Sequence, residues 1–392
     1  MHTQPTHSTD RPKLTPSEME AFGRELDAIR QRAIDDRGEE DRAHIDRIIA
    51  IANTSEAAGR LLLHFGIDPL SFALGTGALT LAKILENMEI GHNVMHGQYD
   101  FTRDPELDSH RYDWDLVSPA AGWRHSHNFE HHTFTNVLGK DRDVGYNLVR
   151  VSAEQRWNPA YLVQPLSALW LALNFQWGVA LHDLKLEELR TGESTPAEVL
   201  ERAEPFARKA AWQVAKDYLF YPALAGLNAP RVWLGNLIAN GGRNVWAFAV
   251  IFCGHFPEGA EVFDEASIEN ETRGEWYLRQ ISGSANIEGS RWLHVLTGHL
   301  SHQIEHHLFP AVPAWRYPQM AREVRALCER YELPYNTGSL GAQFRSVVGK
   351  LLKHALPTKP ARRRTKATPA KAEPVAEPTA AEPTRPARAL AA

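Results

Sequence analysis

The chain carries 19 histidines in 392 residues, and they cluster. His92 and His96 form H-x3-H in EIGHNVMHGQ. On a helix, positions i and i+4 share a face, so both imidazoles can reach one metal region. WRHSHNFEHH repeats the spacing with His127 and His131 and adds His132. Neighbouring residues point about 100° apart around a helix, so adjacent histidines can serve two different ions. SHQIEHHLFP presents His302, His306 and His307 in the same H-x3-H-H pattern. A lone histidine on an apolar face is usually a satisfied core residue; the repeated spacing is not explained that way. Neutral imidazole suits Zn, Cu, Fe and Ni. Eight ligands exceed the needs of one ion and fit two. Redox-inert zinc needs no such cage, whereas two irons could activate dioxygen.

One further ligand candidate is His255 in FCGHFP, at the end of an apolar run where an ionisable group reads as functional. His125, His294 and His299 compete with it. His299 lies three before His302, and His125 two before His127; the repeated spacing needs neither. Glu89, Glu130, Asp141, Asp143 and Glu305 lie in or beside the clusters. They read either as acceptors for the free imidazole N–H or as surface charge.

The elements that would position these residues are apolar. Trp157 to Leu181 holds 25 residues without a charge, and about 20 suffice to span a bilayer as a helix. Trp and Tyr sit near the ends of the apolar runs, as at membrane interfaces. About four spanning helices are expected, at 57–82, 157–181, 217–240 and 243–257. Residues 1–14 read as disordered, with no secretory signal. Thr15-Pro16-Ser17-Glu18 predicts a capped helix start, with Phe22, Leu26 and Ile29 on its apolar face. Residues 15–56 read as cytosolic amphipathic helices and 57–345 as the membrane domain. The stretch 357–392 is Ala/Pro-rich and carries eight basic and three acidic residues; it cannot bury enough surface to order. Its Arg362-Arg363-Arg364 could meet anionic lipid, and its Leu390-Ala391-Ala392 end resembles a degradation tag. A net charge of −5 gives no reason to expect nucleic acid as a partner, and two cysteines exclude a disulfide scaffold or a Cys-based metal site.

GHNVMHG, HNFEHH and HQIEHHLFP resemble the three histidine boxes of the membrane fatty-acid desaturases. More narrowly, NMEIGHNVMHGQ, DVGY, QRW, RNVWAFAVIFCGHFP and WYLRQ are similar to actinobacterial stearoyl-CoA Δ9-desaturases, over roughly residues 20–345. The resemblance implies an all-α integral membrane protein. It would have four transmembrane helices under a cytosolic helical cap that holds two irons. It implies His92, His96, His127, His131, His132, His302, His306 and His307 as ligands, with His255 as the ninth. The implied reaction is dioxygen-dependent cis-desaturation of a long-chain acyl-CoA, carried out by a multi-pass oxidoreductase of the cell inner membrane with its site on the cytoplasmic side. Animal acyl-CoA desaturases carry an Asn four residues before the extra His; Ile251 stands there in this chain, leaving Asn286, His299 or water alone for that role.

No cytochrome b5 motif, cysteine cluster or G-x-G-x-x-G fingerprint is visible. A separate NADPH-dependent reductase or ferredoxin-type donor is therefore implied. The competing readings are an acyl-lipid desaturase or diiron hydroxylase and, from another class, a histidine-rich membrane metal transporter. Transporters bind near the bilayer midplane, whereas these boxes lie in charged segments outside the apolar runs.

Overall fold

Thr15 opens the first helix as its sequence predicts. In this computed structural model, which describes residues 14–358, α1 spans Pro16–Asp35. The Glu18 N–H donates to Thr15 Oγ1 at 3.3 Å, and Glu18 accepts the Thr15 N–H at 2.7 Å. Phe22, Leu26 and Ile29 are buried and share a core with Tyr277, Ile304 and Leu308. The N-terminal helix thus packs behind the third histidine box. The expectations for residues 1–13 and for the tail from 359, including Arg362-Arg363-Arg364 and Leu390-Ala391-Ala392, lie outside the described residues.

The apolar run expected as one helix at 57–82 is two. Helix α2 (Glu39–Phe65) stops at Gly66, and α3 (Pro69–Leu85) restarts after Asp68, whose side chain accepts the Ser71 N–H at 2.9 Å. The two fold back on each other. A Cβ at Gly59 would stand 2.9 Å from the Gly75 carbonyl oxygen, so close approach requires glycine there.

The 157–181 run also divides. A 3-10 turn (Pro159–Val163) leads into α4 (Gln164–Leu173), and α5 (Phe175–Asp183) follows after Asn174. Asn174 leaves helical geometry and its side-chain amide donates to the Trp170 carbonyl at 3.0 Å. After α6 (Pro196–Ala215) the chain passes through a π-helical turn (Lys216–Phe220) and a short helix, Tyr221–Leu224. The 217–240 and 243–257 segments are then not separate. One 27-residue helix, α7 (Ala229–His255), runs straight through Arg243. Arg243 does not interrupt it because the guanidinium turns inward, buried, and donates to the Asp115 carbonyl at 3.3 Å. Among the described residues no helix is long and apolar enough to cross a membrane.

Further helices are α8 (Arg273–Ser282), α9 (Gln303–Leu308), α10 (Tyr317–Arg330) and α11 (Leu340–Ala355). The fold is mostly helical, as the all-α expectation has it, and carries a short two-stranded parallel sheet. The sheet pairs β1 (Asn286–Glu288) with β2 (Thr337–Ser339), in the register Asn286↔Thr337. This sheet fixes Asn286, whose Oδ1 accepts the Ile304 N–H of α9 at 2.9 Å.

Candidate metal centre

The first two boxes ride on π-helical turns. Glu86–Gly91 leads directly into His92, and Arg124–His131 carries His127 and His131, with His132 just beyond it. π-turns are rare and concentrate at functional sites. The third box begins after a sharp break. His299 adopts a left-handed backbone with φ +57°, a 3-10 turn covers Leu300–His302, and α9 starts only at Gln303.

Eight of the nine candidate ligands converge. His92, His96, His127 and His306 form one group, and His131, His255 and His307 form another; in each group the ligand atoms lie within 4.8 Å of one another. His132 stands between them, its ring centroid 4.7 Å from His306 and 4.6 Å from His307. The rings of His127 and His131 stack at 4.9 Å, so the H-x3-H spacing still brings its imidazoles together in a π-turn.

The structure does not bring His302 into this cluster. Its ring lies 4.6 Å from that of His294 and its Nδ1 faces Ser301 Oγ at 3.3 Å. The physical reason is the break before α9: His302 precedes the helix with φ −110° and ψ 58°, so it shares no helical face with His306. Gln303 occupies the space instead, its Nε2 3.0 Å from His255 Nε2. The sequence signal for it was the i, i+3 and i, i+4 relation of Gln303 to His306 and His307.

His125 is largely exposed and pairs with Glu130 at 3.3 Å, away from the cluster. Asn286 donates to Glu305 at 2.9 Å and to Tyr335 at 2.7 Å, and His299 faces Glu89. Neither stands in the place opened by Ile251.

Partners behind the rings set their orientation. His131 Nδ1 lies 3.0 Å from Asp141 Oδ2, His92 Nδ1 3.1 Å from Asn93 Oδ1, and His307 Nδ1 3.1 Å from Thr135 Oγ1. Asp143 lies 3.5 Å from His127 Nδ1 and 3.2 Å from His182 Nε2. An acceptor on one ring nitrogen fixes the tautomer and turns the other outward. Of the five carboxylates beside the boxes, Asp141 and Asp143 do this. Glu130 pairs with Lys185, Glu305 with Asn286 and Tyr335, and Glu89 with two other histidines. His182 was missed; it closes the long apolar run, where a histidine reads as a helix end.

Several of the other ring nitrogens have no partner. His96 Nε2, His127 Nε2, His131 Nε2, His255 Nδ1 and both nitrogens of His132 and His306 are buried with no hydrogen bond among the described residues. Burial pushes His92 down to about 3, and burial with neighbouring rings holds His96, His132, His306 and His307 well below the ordinary range. Burial opposes the charged form of His131 too, but Asp141 raises it above its ordinary value. Neutral, unpartnered imidazoles aimed at common points are what metal ions need, and two adjacent groups suit two ions.

Beside the cluster lies a cavity. Its walls include Met88, Trp123, Phe175, Val179, Ala247, Ile251, Phe256 and Leu300, and the rings of His92, His127, His131 and His255 face it. An apolar chamber with a few convergent polar groups at one wall is the usual form of a small-molecule site.

The fatty acid desaturase family model matches residues 69–339. The chain belongs to the fatty acid desaturase family. It is 44% identical over 350 residues to the NADPH-dependent stearoyl-CoA 9-desaturase of Mycobacterium tuberculosis, covering 88% of this chain and 82% of that one. It is 27% identical over 274 residues to the sn-1 linoleoyl-lipid 6-desaturase of Synechocystis, covering 67% of this chain and 74% of the other. Human fatty acid desaturase 3 is 26% identical over 226 residues, 55% of this chain and 46% of that one. The chain is thus an enzyme of the oxidoreductase class, and the histidine cluster and its cavity are the desaturase's candidate centre.

Proposed function

We propose that this desaturase introduces a cis double bond, Δ9 in stearoyl-CoA or a chain of similar length, using dioxygen and two irons. The convergence of unpartnered neutral imidazoles against an apolar cavity carries this reading. The 44% identity to a stearoyl-CoA 9-desaturase supports the substrate class and the double-bond position. His92, His96, His127, His131, His132, His255, His306 and His307 would hold the ions. Two irons bound there would supply the oxidising power that an unactivated C–H bond demands and that no acid or base can provide.

The chain's own residues do the rest. Asp141, Asp143 and Asn93 keep the rings oriented. Phe175, Ala247, Ile251 and Phe256 line the path that would receive the acyl chain and exclude water from it. Electrons come from a separate reductase that draws on NADPH, or from a ferredoxin-type donor; the name of the M. tuberculosis relative supports NADPH as the source.

We read the enzyme as seated in the inner membrane with the centre on the cytoplasmic side. Support comes from apolar side chains left outside the core: Phe65, Ile67 and Leu70 at the α2–α3 turn, Leu166 and Leu169 on α4, and Leu237 on α7. Exposed apolar surface on this scale marks contact with lipid or protein. The helices interrupted at Asn174 and Gly66 would then share the bilayer between them.

The test is iron content and turnover of the detergent-purified protein, supplied with stearoyl-CoA, NADPH and a reductase. Two irons per chain and an alkene on acyl-CoA are expected, and His306→Ala should abolish both. An alcohol product, or an alkene formed first in phospholipid, would move the assignment to a hydroxylase or an acyl-lipid desaturase.

A further inference from the structure

Apart from the histidine cluster, three other buried side chains converge. Glu89, on the π-turn before His92, is fully buried. Its Oε1 lies 2.7 Å from His44 Nε2 of α2, and its Oε2 lies 2.9 Å from His299 Nδ1. The three ligand atoms stand within 4.8 Å of one another.

Both imidazoles are fixed from behind or by the backbone. His44 stacks on Trp315 with centroids 5.5 Å apart and planes 16° from parallel, and the Trp315 indole N–H donates to Asp41 at 2.7 Å. His299 is held at φ +57°, a conformation uncommon for residues other than glycine. Strained backbone of this kind persists only where its surroundings impose it.

Hydrogen bonding alone leaves this group unbalanced. Among the described residues Glu89 pairs with two histidines and with no Lys or Arg. Burial opposes the charged form of both Glu89 and His299. A buried carboxylate without a compensating charge is costly. The Tyr99 hydroxyl, also fully buried, has no hydrogen-bond partner and feels the Glu89 charge. A divalent cation would supply the missing positive charge and give the carboxylate a reason to stay ionised.

We propose that His44, Glu89 and His299 form a further metal site, separate from the two-ion cluster, that takes a borderline divalent ion such as Zn2+. Two imidazoles and a carboxylate are an established zinc ligand set, with bonds of about 2.0–2.2 Å. The present N···O separations of 2.7 and 2.9 Å would open to about 3.4 Å, the ligand spacing around a tetrahedral ion with bonds of about 2.1 Å.

The site joins α2, the turn before the first box and the turn before the third. The Glu89 carbonyl accepts from Asn93 Nδ2 at 3.0 Å, and Asn93 Oδ1 lies 3.1 Å from His92 Nδ1. An ion here would tie these three segments together beside the first box. The role is structural, with no redox step, and does not depend on the desaturase reading.

The experiment counts zinc and iron per chain by mass spectrometry in the full-length, detergent-purified protein supplied with both metals. His44→Gln and Glu89→Gln should each hold one zinc fewer than wild type with iron unchanged. His306→Ala should lose iron and keep this zinc, which separates failure of this site from failure of the desaturase reading. Equal zinc in wild type and His44→Gln overturns the proposal, as does zinc lost only in His306→Ala. His44→Gln carries the test if Glu89→Gln fails to fold. Zinc-edge absorption of the wild type should show two imidazoles and a carboxylate, and an all-imidazole shell overturns the site.

Discussion

Gln303 Nε2 lies 3.0 Å from His255 Nε2, so a glutamine amide stands where the histidine spacing alone points to His302. His302 faces His294 instead. His302→Ala should therefore keep its iron and most of its turnover. Gln303→Leu should lower metal affinity or activity by roughly 10–100-fold, the usual effect of removing a group that orients a ligand. Iron content and acyl-CoA turnover of the two variants check this, and the reverse order would restore His302 to the centre.

Asp141 acts on the centre through His131. Its Oδ2 accepts the Asn136 backbone N–H at 2.7 Å and faces His131 Nδ1 at 3.0 Å. Asp141→Asn keeps the shape and removes the charge. The expected result is weaker iron retention, again on the order of 10–100-fold, with a far-ultraviolet spectrum like that of the wild type. Competition with a chelator measures it.

Ala247 is a small side chain on the cavity wall. Ala247→Phe should shorten the space for the acyl chain. Each methylene that no longer fits forfeits about 0.8 kcal/mol of burial, so losing two should shift preference toward shorter chains by roughly tenfold. Turnover of acyl-CoAs of graded length reads this out. An unchanged profile would place the acyl chain elsewhere.

Lys350 on α11 gives a pH signature outside the histidine cluster. Burial pushes its ammonium down to about 8, although Nζ donates to the Pro257 carbonyl at 3.2 Å. The unfolded chain holds this proton up to about 10.5. Between those values the unfolded state binds more protons, so stability rises with pH across that window. The rise is at most about 3 kcal/mol from 1.36 kcal/mol per unit. Lys350→Met should remove it, seen as a flatter difference in melting temperature between pH 8 and about 10.5.

Some of this architecture is written locally in the chain. Thr15-Pro16-Ser17-Glu18 carries its own cap, so the start of α1 and its buried Phe22 and Leu26 follow from neighbouring residues alone. Two repeated spacings, H-x3-H and H-x3-H-H, brought His92, His96, His127, His131 and His132 to one place. The apolar runs were harder to divide. Counting uncharged residues treats Arg243 as a break and Asn174 as nothing, whereas a buried arginine with a carbonyl partner continues a helix and an asparagine bonding to Trp170 ends one. His302 stands outside the cluster for a related reason. The pattern assumes one continuous helix, and His299 bends the backbone just before it begins. His44 lies some 45 residues before Glu89 in the chain, and no local pattern links them.

The π-helical turns impose one more requirement, on length. Each closes its hydrogen bonds over five residues, one more than an ordinary helical turn. Removing a single residue from Glu86–Gly91 would let that turn relax to the commoner form. Everything beyond it would then shift by about 100° around the axis, carrying His92 and His96 away from His127 and His306. Outside His127, His131 and Glu89, these segments should thus accept an exchange of one side chain for another more readily than an insertion or deletion. For anyone grafting or shuffling desaturase parts, the crossover points belong in the loops, never between Leu85 and His92 or between Trp123 and His132.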